Sequence, residues 1–315
     1  MELYGQSAEL RLLRKLVTHL DSTTMIDVGA ERGGFAEEML LAGVTQVHAF
    51  EPNSQNAQAL RRSFEADRRV SVHDCALSDH DGDAELNISV DPSDGTPVSF
   101  GHTLLERPDT DEIAWRDSVK VKLRSLESLL SAGALPRQVG ILKVDTEGHD
   151  LEVIQGMGPL EAEVIMVEHW TDLPHGLGQC PWTIDELLAV LRPRGFSHFA
   201  FVVHRADFVT LKWDDAEVET GCMGNLVFLR DDRLTAMLPE VLECAAWLSE
   251  GAVRVGRSYM HTAHERELLI DELKHAVDEM ERAANERLAL IEELHEVAAV
   301  RLRALEEASR GQPGR

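Results

Sequence analysis

Three strand-like segments of the chain carry an acidic residue at or close to their end, and in the first of them glycines follow that residue at positions 29 and 33. Asp27 lies in "TMIDVG", and Gly29 and Gly33 come after it, before the helix-prone "FAEEML". Strand, glycine turn and helix together form a cradle for a nucleotide-like ligand. Glu51 ends the second strand, where an acid can accept both hydroxyls of a ribose. Asp74 ends the third strand, where it is placed to meet an adenine amino group.

The glycine turn also discriminates between adenosine ligands. A dinucleotide site needs Gly-x-Gly-x-x-Gly, whose second glycine lets the backbone approach a pyrophosphate. Here Gly29 is followed by Ala30 and Glu31, so the second glycine is missing. The Glu31 carboxylate would repel a pyrophosphate, whereas an ammonium and a sulfonium would tolerate it. The turn therefore favours S-adenosylmethionine (SAM) over NAD.

Alternating strands and helices must position these residues. Helix-like stretches such as "GFAEEMLLAG", "SQNAQALRRSFEAD" and "TIDELLAVLRPRG" separate short, mostly apolar runs of the kind found in strands covered on both faces. The predicted strands are 24–29, 46–51, 70–74, 140–145, 163–169, 198–204 and 225–230. The pattern predicts an α/β fold with a Rossmann-like, doubly wound, mostly parallel seven-stranded sheet. Ligands bind such sheets at the carboxyl ends of the strands.

One interval, residues 84–123, breaks the alternation. It contains two predicted strands, 84–90 and 118–123, and a polar loop between them that includes His102. A long loop inside a compact domain is usually functional or disordered. Because this one lies between the third and fourth strands, we expect it to overhang the carboxyl edge of the sheet.

Five segments resemble the successive motifs of FkbM-type SAM-dependent methyltransferases. They are "MIDVGAERGGFAEEML", "VHAFEPN", "CALSDHDGDAELNI", "VKLRSLESLL" and "ILKVDTEGHDLEVIQGM". The resemblance covers about residues 20–230, and its most specific part is "LKVDTEGHDLEVIQG". It implies a class I methyltransferase domain that usually O-methylates a hydroxyl of a sugar, glycan or polyketide. The cofactor residues that it implies are Asp27, Gly29, Ala30 and Gly33 in the loop, Glu51 at the ribose, and Asp74 and Cys75 at the adenine. The family commonly has Asn where this chain has Glu31.

Methyl transfer from a sulfonium is an in-line displacement, and a sugar hydroxyl is a poor nucleophile that benefits from a base or a metal. The segments "KVDTEGHD" and "VEHW" bring carboxylates and histidine to the ends of the fourth and fifth strands. The catalytic candidates are Asp145, Glu147, His169 and, from the overhanging loop, His102. In one mechanism Asp145 or a histidine is the base. In the other, Asp145, Glu147 and Glu168 hold a divalent cation, but their loose spacing does not favour a metal. Glu147 has an alternative role in stabilising the start of the following helix.

Composition limits the partners and the compartment. The 315-residue chain carries a net charge of −25, which argues against nucleic acid and anionic membranes as partners. No apolar stretch approaches a membrane span or a signal-peptide core, so no membrane insertion is predicted. The four cysteines form no CxxC pair, which disfavours the common zinc frameworks and fits a reducing compartment. We therefore expect a cytoplasmic protein.

Beyond residue 232 the composition changes. Residues 233–257 are predicted as a helical linker, 258–309 as a coiled-coil helix and 310–315 as a disordered tail. Apolar residues in the third segment recur at spacings of three and four, with neither Pro nor Gly from 259 to 308, although the heptad seam is imperfect. A helix of that length, about 75 Å, cannot pack wholly on one small domain, so a homo-oligomer is expected.

These observations predict a SAM-dependent O-methyltransferase. The expected acceptor is a hydroxyl of a carbohydrate, glycan or glycosylated metabolite, and the coiled coil would oligomerise the enzyme. The alternative is a non-catalytic assembly protein that binds SAM and acts through its coiled coil. An NAD-dependent oxidoreductase is disfavoured by the missing second glycine.

Overall fold

A computed structural model describes residues 2–110, 113–171, 179–204, 209–214 and 221–248. All of them belong to one compact unit, Met1–Ala252. The predicted coiled coil, the predicted tail and the last part of the predicted linker lie outside the described residues. The domain boundary at residue 232 stays a prediction.

The described residues form eleven strands and seven helices of at least six residues. The strands are β1 Thr24–Val28, β2 Gln46–Phe50, β3 Val70–His73, β4 Ala76–Leu77, β5 Gly82–Val90, β6 Ala114–Arg124, β7 Gln138–Val144, β8 Glu161–Trp170, β9 His198–His204, β10 Val209–Trp213 and β11 Met223–Leu229. The helices are α1 Glu2–Leu16, α2 Gly34–Ala42, α3 Ser54–Ser63, α4 Leu126–Ser131, α5 Asp150–Gln155, α6 Ile184–Leu191 and α7, residues 234–248.

The main sheet has eight strands in the order β10-β9-β11-β8-β7-β1-β2-β3. The strands β3, β2, β1, β7 and β8 pair in parallel, whereas β11 is antiparallel to both β8 and β9, and β10 is antiparallel to β9. The α/β fold with a parallel core is confirmed. The prediction of seven strands was wrong, because the sheet has an eighth strand, the short edge strand β10, which pairs on one side only. The sheet is also mixed, since β9, β10 and β11 pair in antiparallel fashion.

Apolar side chains cover both faces of the sheet, as the runs in its strands predicted. One face packs against α1, α2, α3 and α7, and the other packs against α4, α5 and α6. The start of α6 is fixed by a capping box, in which Thr183 and Glu186 bond each other's backbone N–H groups. None of the helices in the described ranges has the length and apolar character needed to cross a membrane.

The interval after β3 forms a second, three-stranded sheet in the order β4-β6-β5. Its long antiparallel pair, β5 and β6, replaces the two shorter strands expected at 84–90 and 118–123. The two-residue strand β4 pairs in parallel with the end of β6. The segment between β5 and β6, residues 91–113, is called the insertion loop below.

Candidate active site

The glycine turn after β1 is shaped by close backbone contacts. Gly29 has a φ of +72°, and a Cβ at this position would lie 1.8 Å from the carbonyl oxygen of Asp145. The N–H groups of Gly29 and Ala30 both donate to the carbonyl of Phe50, at 3.0 and 3.1 Å. Gly33 has a φ of +91°, and its Cβ would meet Leu60 of α3 at 2.4 Å. Both glycines are therefore required by neighbouring elements, and the turn lies directly against the end of β7.

A buried ion pair supports the turn from below. The Lys143 ammonium lies 3.0 Å from Asp27 Oδ1 and donates to the Gly29 carbonyl at 3.0 Å. Burial alone would lower the pKa of Lys143, but the charges of Asp27 and Asp145 outweigh it and raise that pKa. Among the described residues, no group donates a well-directed hydrogen bond to either Asp27 oxygen, so charge holds the pair. Lys143 therefore stays a cation, and the single lysine in the apolar "GILKVD" was its signal in the sequence.

Glu51 fastens the turn to the start of α3. Its two carboxylate oxygens accept the N–H groups of Glu31 and Asn53, each at 2.8 Å, and Asn53 in turn caps α3. Burial raises the pKa of Glu51 to about 7, although these two hydrogen bonds oppose the rise. A carboxylate offers about four lone-pair sites, so two remain for a ligand. This geometry suits the predicted contact with a ribose.

Asp74 and Cys75 lie just after β3, at the more open end of the site. Asp74 is half-exposed and pairs with Arg61 of α3 at 2.7 Å. Cys75 is buried, and burial raises the pKa of its thiol to about 11, so it stays protonated. Both line a cavity of ≈ 550 Å³ that Lys122 and Arg124 also border. Their contact with an adenine stays a prediction.

Three carboxylates converge at the carboxyl ends of β7 and β8. Asp145, Glu147 and Glu168, called the acidic trio below, each place an oxygen within 4.8 Å of the others. The strand β7 ends at Val144, one residue before Asp145. The two-residue alternation of side chains along an extended strand therefore does not explain how Glu147 reaches the trio. A turn does, in which Glu147 has a φ of +57°.

Burial and neighbouring charge favour the protonated forms of two members of the trio, Glu147 and Glu168. Burial, and next the charge of Asp145, raises the pKa of Glu147 to about 7. The same two causes raise the pKa of Glu168 well above its ordinary value. Lys143 lies 3.5 Å from Asp145 Oδ2 and offsets the charge of that carboxylate. The trio therefore carries fewer than three negative charges near neutral pH.

Asp150, the first residue of α5, fixes the turn that precedes the helix. The buried carboxylate of Asp150 accepts the N–H and hydroxyl of Thr146, both at 2.9 Å, and the N–H of Gly148 at 3.1 Å. Burial raises the pKa of Asp150 to about 6, against these hydrogen bonds. The stabilising role considered for Glu147 at the start of α5 stays a prediction, beside these hydrogen bonds of Asp150.

The insertion loop covers the trio, as expected from its position in the sequence. Thr103 Oγ1 and the buried guanidinium of Arg107 both donate to the carbonyl oxygen of Glu147, at 3.0 and 2.5 Å. The same guanidinium lies 4.0 Å from Glu147 Oε2 and 4.7 Å from the ring centroid of Trp170. The overhang at the carboxyl edge is therefore confirmed, and Arg107 is a site residue that the sequence did not reveal.

The other end of the insertion loop contacts the glycine turn. Ser99 Oγ donates to Glu31 Oε1 at 2.5 Å, and the Asn56 amide donates to the Ser99 carbonyl at 2.7 Å. Glu31 has a φ of +50°, in the left-handed region. Its side chain is thus engaged by the insertion loop.

Neither predicted catalytic histidine contacts the trio in the described part of the chain. His102 Nδ1 accepts the Ser89 N–H at 3.1 Å within the insertion, and burial lowers the pKa of His102 to about 4. His169 follows Glu168 in β8, so its side chain points to the opposite face, where its ring lies 4.8 Å from that of Trp182. Burial also lowers the pKa of His169 to about 4. A catalytic role for either histidine stays a prediction.

Comparison with known protein families shows to which family the chain belongs. Residues 27–197, more than half of the chain, match the model of the methyltransferase FkbM domain. The chain belongs to the FkbM methyltransferase family. The resemblance in the sequence motifs is thus confirmed, and the matched range includes the glycine turn, the insertion and the acidic trio.

A curated relative of this FkbM protein shares less than a third of the aligned residues with it. The hexuronic acid methyltransferase AglP of Haloferax volcanii is 31% identical over 157 residues, which are 50% of this chain and 58% of AglP. The chain thus spans less than two thirds of the curated relative that it matches.

Solved structures align at low scores. The N-terminal domain of EvdMO1, determined with SAH and D-fucose, aligns at a TM-score of 0.39 and 11% identity, covering 73% of this chain and 84% of that one. Magnesium protoporphyrin IX methyltransferase from Synechocystis PCC 6803, determined with SAM, aligns at a TM-score of 0.38 and 9% identity, covering 71% and 78%. Likeness at this level adds nothing to the fold that the strand order already shows.

Proposed function

We propose that this FkbM protein is a SAM-dependent O-methyltransferase that methylates a hydroxyl of a carbohydrate, glycan or glycosylated metabolite. The observation that carries the proposal is the contact between the glycine turn and the acidic trio. Gly29 lies against the backbone of Asp145, and Lys143 joins Asp27 under the turn to Asp145 in the trio. A cofactor in the turn would therefore present its methyl group beside a carboxylate.

The residues of the turn suit the cofactor. Buried Glu51 has lone pairs free for two ribose hydroxyls, and Asp74 lies at the open end where an adenine would extend. The chain's own groups here are mostly anionic, which suits a ligand with a sulfonium and an ammonium and disfavours a pyrophosphate. SAM supplies an electrophilic methyl group when it is bound.

Asp145 is the proposed base. When the acceptor oxygen takes the methyl group, the sulfonium of SAM would leave as a neutral thioether that keeps the electron pair of the broken bond, so the acceptor hydroxyl must lose its proton to the protein. The hydroxyl proton passes to the Asp145 carboxylate, and general-base catalysis of this kind contributes about 10²–10⁴-fold in rate. Because their pKa values are raised, Glu147 and Glu168 can carry protons and donate hydrogen bonds to other oxygens of the molecule that is methylated.

The acceptor class rests on the family and on one relative. AglP is a hexuronic acid methyltransferase by its name, and a sugar hydroxyl needs the base that the trio provides. The scaffold alternative is disfavoured, since a purely structural domain has no need of three converging carboxylates at a cost in stability. Oligomerisation through residues 258–309 remains a proposal that rests on the sequence.

The test uses the full chain with SAM and a panel of neutral and uronic sugars and glycans. The expected result is transfer of one methyl group, detected by mass spectrometry, with kcat reduced about 10²–10⁴-fold in Asp145→Asn. Asp67→Asn is the matched control, because Asp67 is an aspartate that pairs with Arg69 at the amino end of β3, outside the proposed site. Binding of SAM without methylation of any sugar would overturn the acceptor class, and no binding of SAM would overturn the proposal as a whole.

A further inference from the structure

The insertion loop carries one strongly basic side chain, and that side chain is turned inward. Arg107 is the only lysine or arginine among residues 91–113, and its side chain is 6% exposed. A guanidinium stays charged and has five N–H donors, so its burial is costly unless nearby groups receive it. In the described part of the chain, Arg107 contacts the turn that carries Glu147 and the ring of Trp170. The methyl-transfer step proposed above gives Arg107 no role.

The turn that carries Glu147 has an unfavourable backbone conformation. Glu147 has a φ of +57° and the next residue, Gly148, has a φ of +100°. Glycine adopts such angles readily, but a residue with a Cβ does so at a cost in free energy. A conformation of this kind persists only where the surrounding structure fixes it. The contacts made by Glu147 therefore decide whether its carboxyl stays in the acidic trio.

Three groups of the insertion loop supply these contacts. The Glu147 carbonyl oxygen accepts hydrogen bonds from Thr103 Oγ1 at 3.0 Å and from Arg107 Nη2 at 2.5 Å. At the other end of the residue, Arg107 Nη1 lies 4.0 Å from Glu147 Oε2, and the Gly101 N–H bonds the same carboxylate. Of these three groups, Arg107 alone contacts both the backbone and the carboxylate of Glu147.

The structure leaves room for a guanidinium at this place. A Cβ at Gly148 would lie 2.7 Å from Arg107 Nη2 and 3.1 Å from the Trp170 ring. A larger residue at position 148 would therefore push the guanidinium out from beside the indole. The planar guanidinium lies over that ring, at 4.7 Å from its centroid, and a lysine ammonium has no such plane. The surroundings thus suit an arginine in particular rather than any cation.

We propose that Arg107 is a positioning residue, which holds the Glu147 carboxyl in the acidic trio so that this carboxyl binds the acceptor. The side chains of Glu147 and Asp145 are 30% and 36% exposed, so both are open to a ligand. Arg107 is covered and acts through Glu147. The inference rests on the proposed function for its effect on catalysis, whereas the position of Glu147 is tested independently.

The first test reads the position of the Glu147 carboxyl without an acceptor. The full chain is labelled with ¹³C-carbonyl phenylalanine and ¹⁵N-glycine. Phe100–Gly101 is the only place in the sequence where glycine follows phenylalanine, so a carbonyl-to-amide correlation contains the Gly101 N–H signal alone. Because that N–H bonds the Glu147 carboxylate, Glu147→Ala should shift the signal, and Arg107→Met should shift it in the same direction.

Two further variants complete this test. Arg107→Lys keeps the charge but lacks the planar fork, so it should shift the Gly101 signal less than Arg107→Met does. Arg194→Met is the matched control, since Arg194 also donates to the carbonyl of a residue with a positive φ, Gly158, at 2.8 Å. Gly158 precedes the amino end of β8, so this control should leave the signal unmoved. A signal at the wild-type position in both Arg107 variants would overturn the proposal.

The second test uses the sugar that the panel above shows to be methylated. Arg107→Met should raise KM for that acceptor about 10-fold, with kcat within about two-fold and the affinity for SAM unchanged. Combining Arg107→Met with Glu147→Ala should lower kcat/KM no further than Glu147→Ala alone, since Arg107 acts through Glu147. Losses that add would contradict the proposal and leave Arg107 a merely structural role. If no SAM binds or no sugar is methylated, the proposed function falls, and the Gly101 signal still decides whether Arg107 positions Glu147.

Discussion

Replacing Glu51 with Gln should change both the pH dependence of stability and the affinity for SAM. Burial raises the pKa of Glu51 from an ordinary 4.5 to about 7. The folded protein therefore holds a proton that the unfolded chain has lost between these values, and this stabilisation disappears as the pH rises through about 7. By proton linkage, Glu51 alone makes the free energy of unfolding about 2 kcal/mol lower at pH 8 than at pH 5.5.

Other groups titrate in the same window, so the prediction concerns a difference between two proteins. The pKa values of His73, His102 and His169 are lowered to about 4 from 6.5, which makes stability rise with pH and opposes Glu51. These contributions cancel when Glu51→Gln is compared with the wild type at each pH. Urea denaturation at pH 5.5 and 8 should show that the variant gains about 2 kcal/mol relative to the wild type between the two conditions. The amide that replaces the Glu51 carboxylate faces the N–H groups of Glu31 and Asn53, and any loss of stability from that contact is the same at both pH values. It therefore does not affect the predicted change between pH 5.5 and pH 8.

The same variant should bind SAM more weakly. Hydrogen bonds to a charged group contribute about 1.5–3 kcal/mol, so the loss of the carboxylate should raise Kd about 10- to 100-fold in calorimetry at pH 8. Glu163→Gln is the matched control, because Glu163 is also a buried glutamate that accepts two backbone N–H groups, those of Asp21 and Ser22. It lies at the amino end of β8 and should leave the affinity unchanged. If the free energy of unfolding of Glu51→Gln depends on pH as that of the wild type does, the assigned effect of burial on the pKa of Glu51 is refuted. If Glu51→Gln binds SAM as tightly as the wild type, the ribose contact is refuted.

Three further predictions concern the turn, the insertion loop and the trio. Gly29→Ala should lower the free energy of unfolding by at least about 2 kcal/mol in urea denaturation, since its Cβ would collide with the Asp145 carbonyl. Gly95→Ala, at a similar φ of +75° but with open space around it, should cost about 1 kcal/mol, and equal losses would disprove the collision. Ser99→Ala should weaken SAM binding by about 5-fold in calorimetry by releasing Glu31, whereas unchanged affinity would mean that the loop does not support the turn. Treatment with EDTA should leave kcat/KM within about two-fold if Asp145 is the base. A loss reversed by Mg²⁺ or Ca²⁺ would instead assign the trio to a cation.

The sequence predicted the parallel core and the glycine turn because both depend on local patterns. Apolar runs ending in Asp27 and Glu51 converge at one edge whenever parallel strands form, whatever else the chain does. The edge strand β10 was not predicted, because its five residues, which pair on one side only, give little periodic signal in the sequence. The antiparallel direction of β11 depends on a chain reversal that hydrophobic periodicity does not encode.

The sequence named all three members of the acidic trio, but not the way in which Glu147 reaches it, because that depends on one unusual backbone angle. Alternation along an extended β7 would have put Asp145 and Glu147 on one side, yet the strand stops first and a positive φ at Glu147 turns it back. Alternation did hold within β8, where it sends Glu168 to the trio and His169 to the opposite face. For that pair, the two-residue period of a strand is by itself enough to separate the two side chains.

Glu31, the residue that departs from the family pattern, links the two halves of the site. Its carboxylate accepts a hydrogen bond from Ser99 of the insertion loop, and its backbone N–H donates to Glu51, so Glu31 is bonded on both sides of the turn. The same loop holds the backbone of Glu147 through Thr103. We therefore expect a displacement of the glycine turn to be transmitted through this loop to the backbone of Glu147. Glu31 thus connects the glycine turn to the insertion loop, and through that loop we expect occupancy of the turn to affect the position of Glu147.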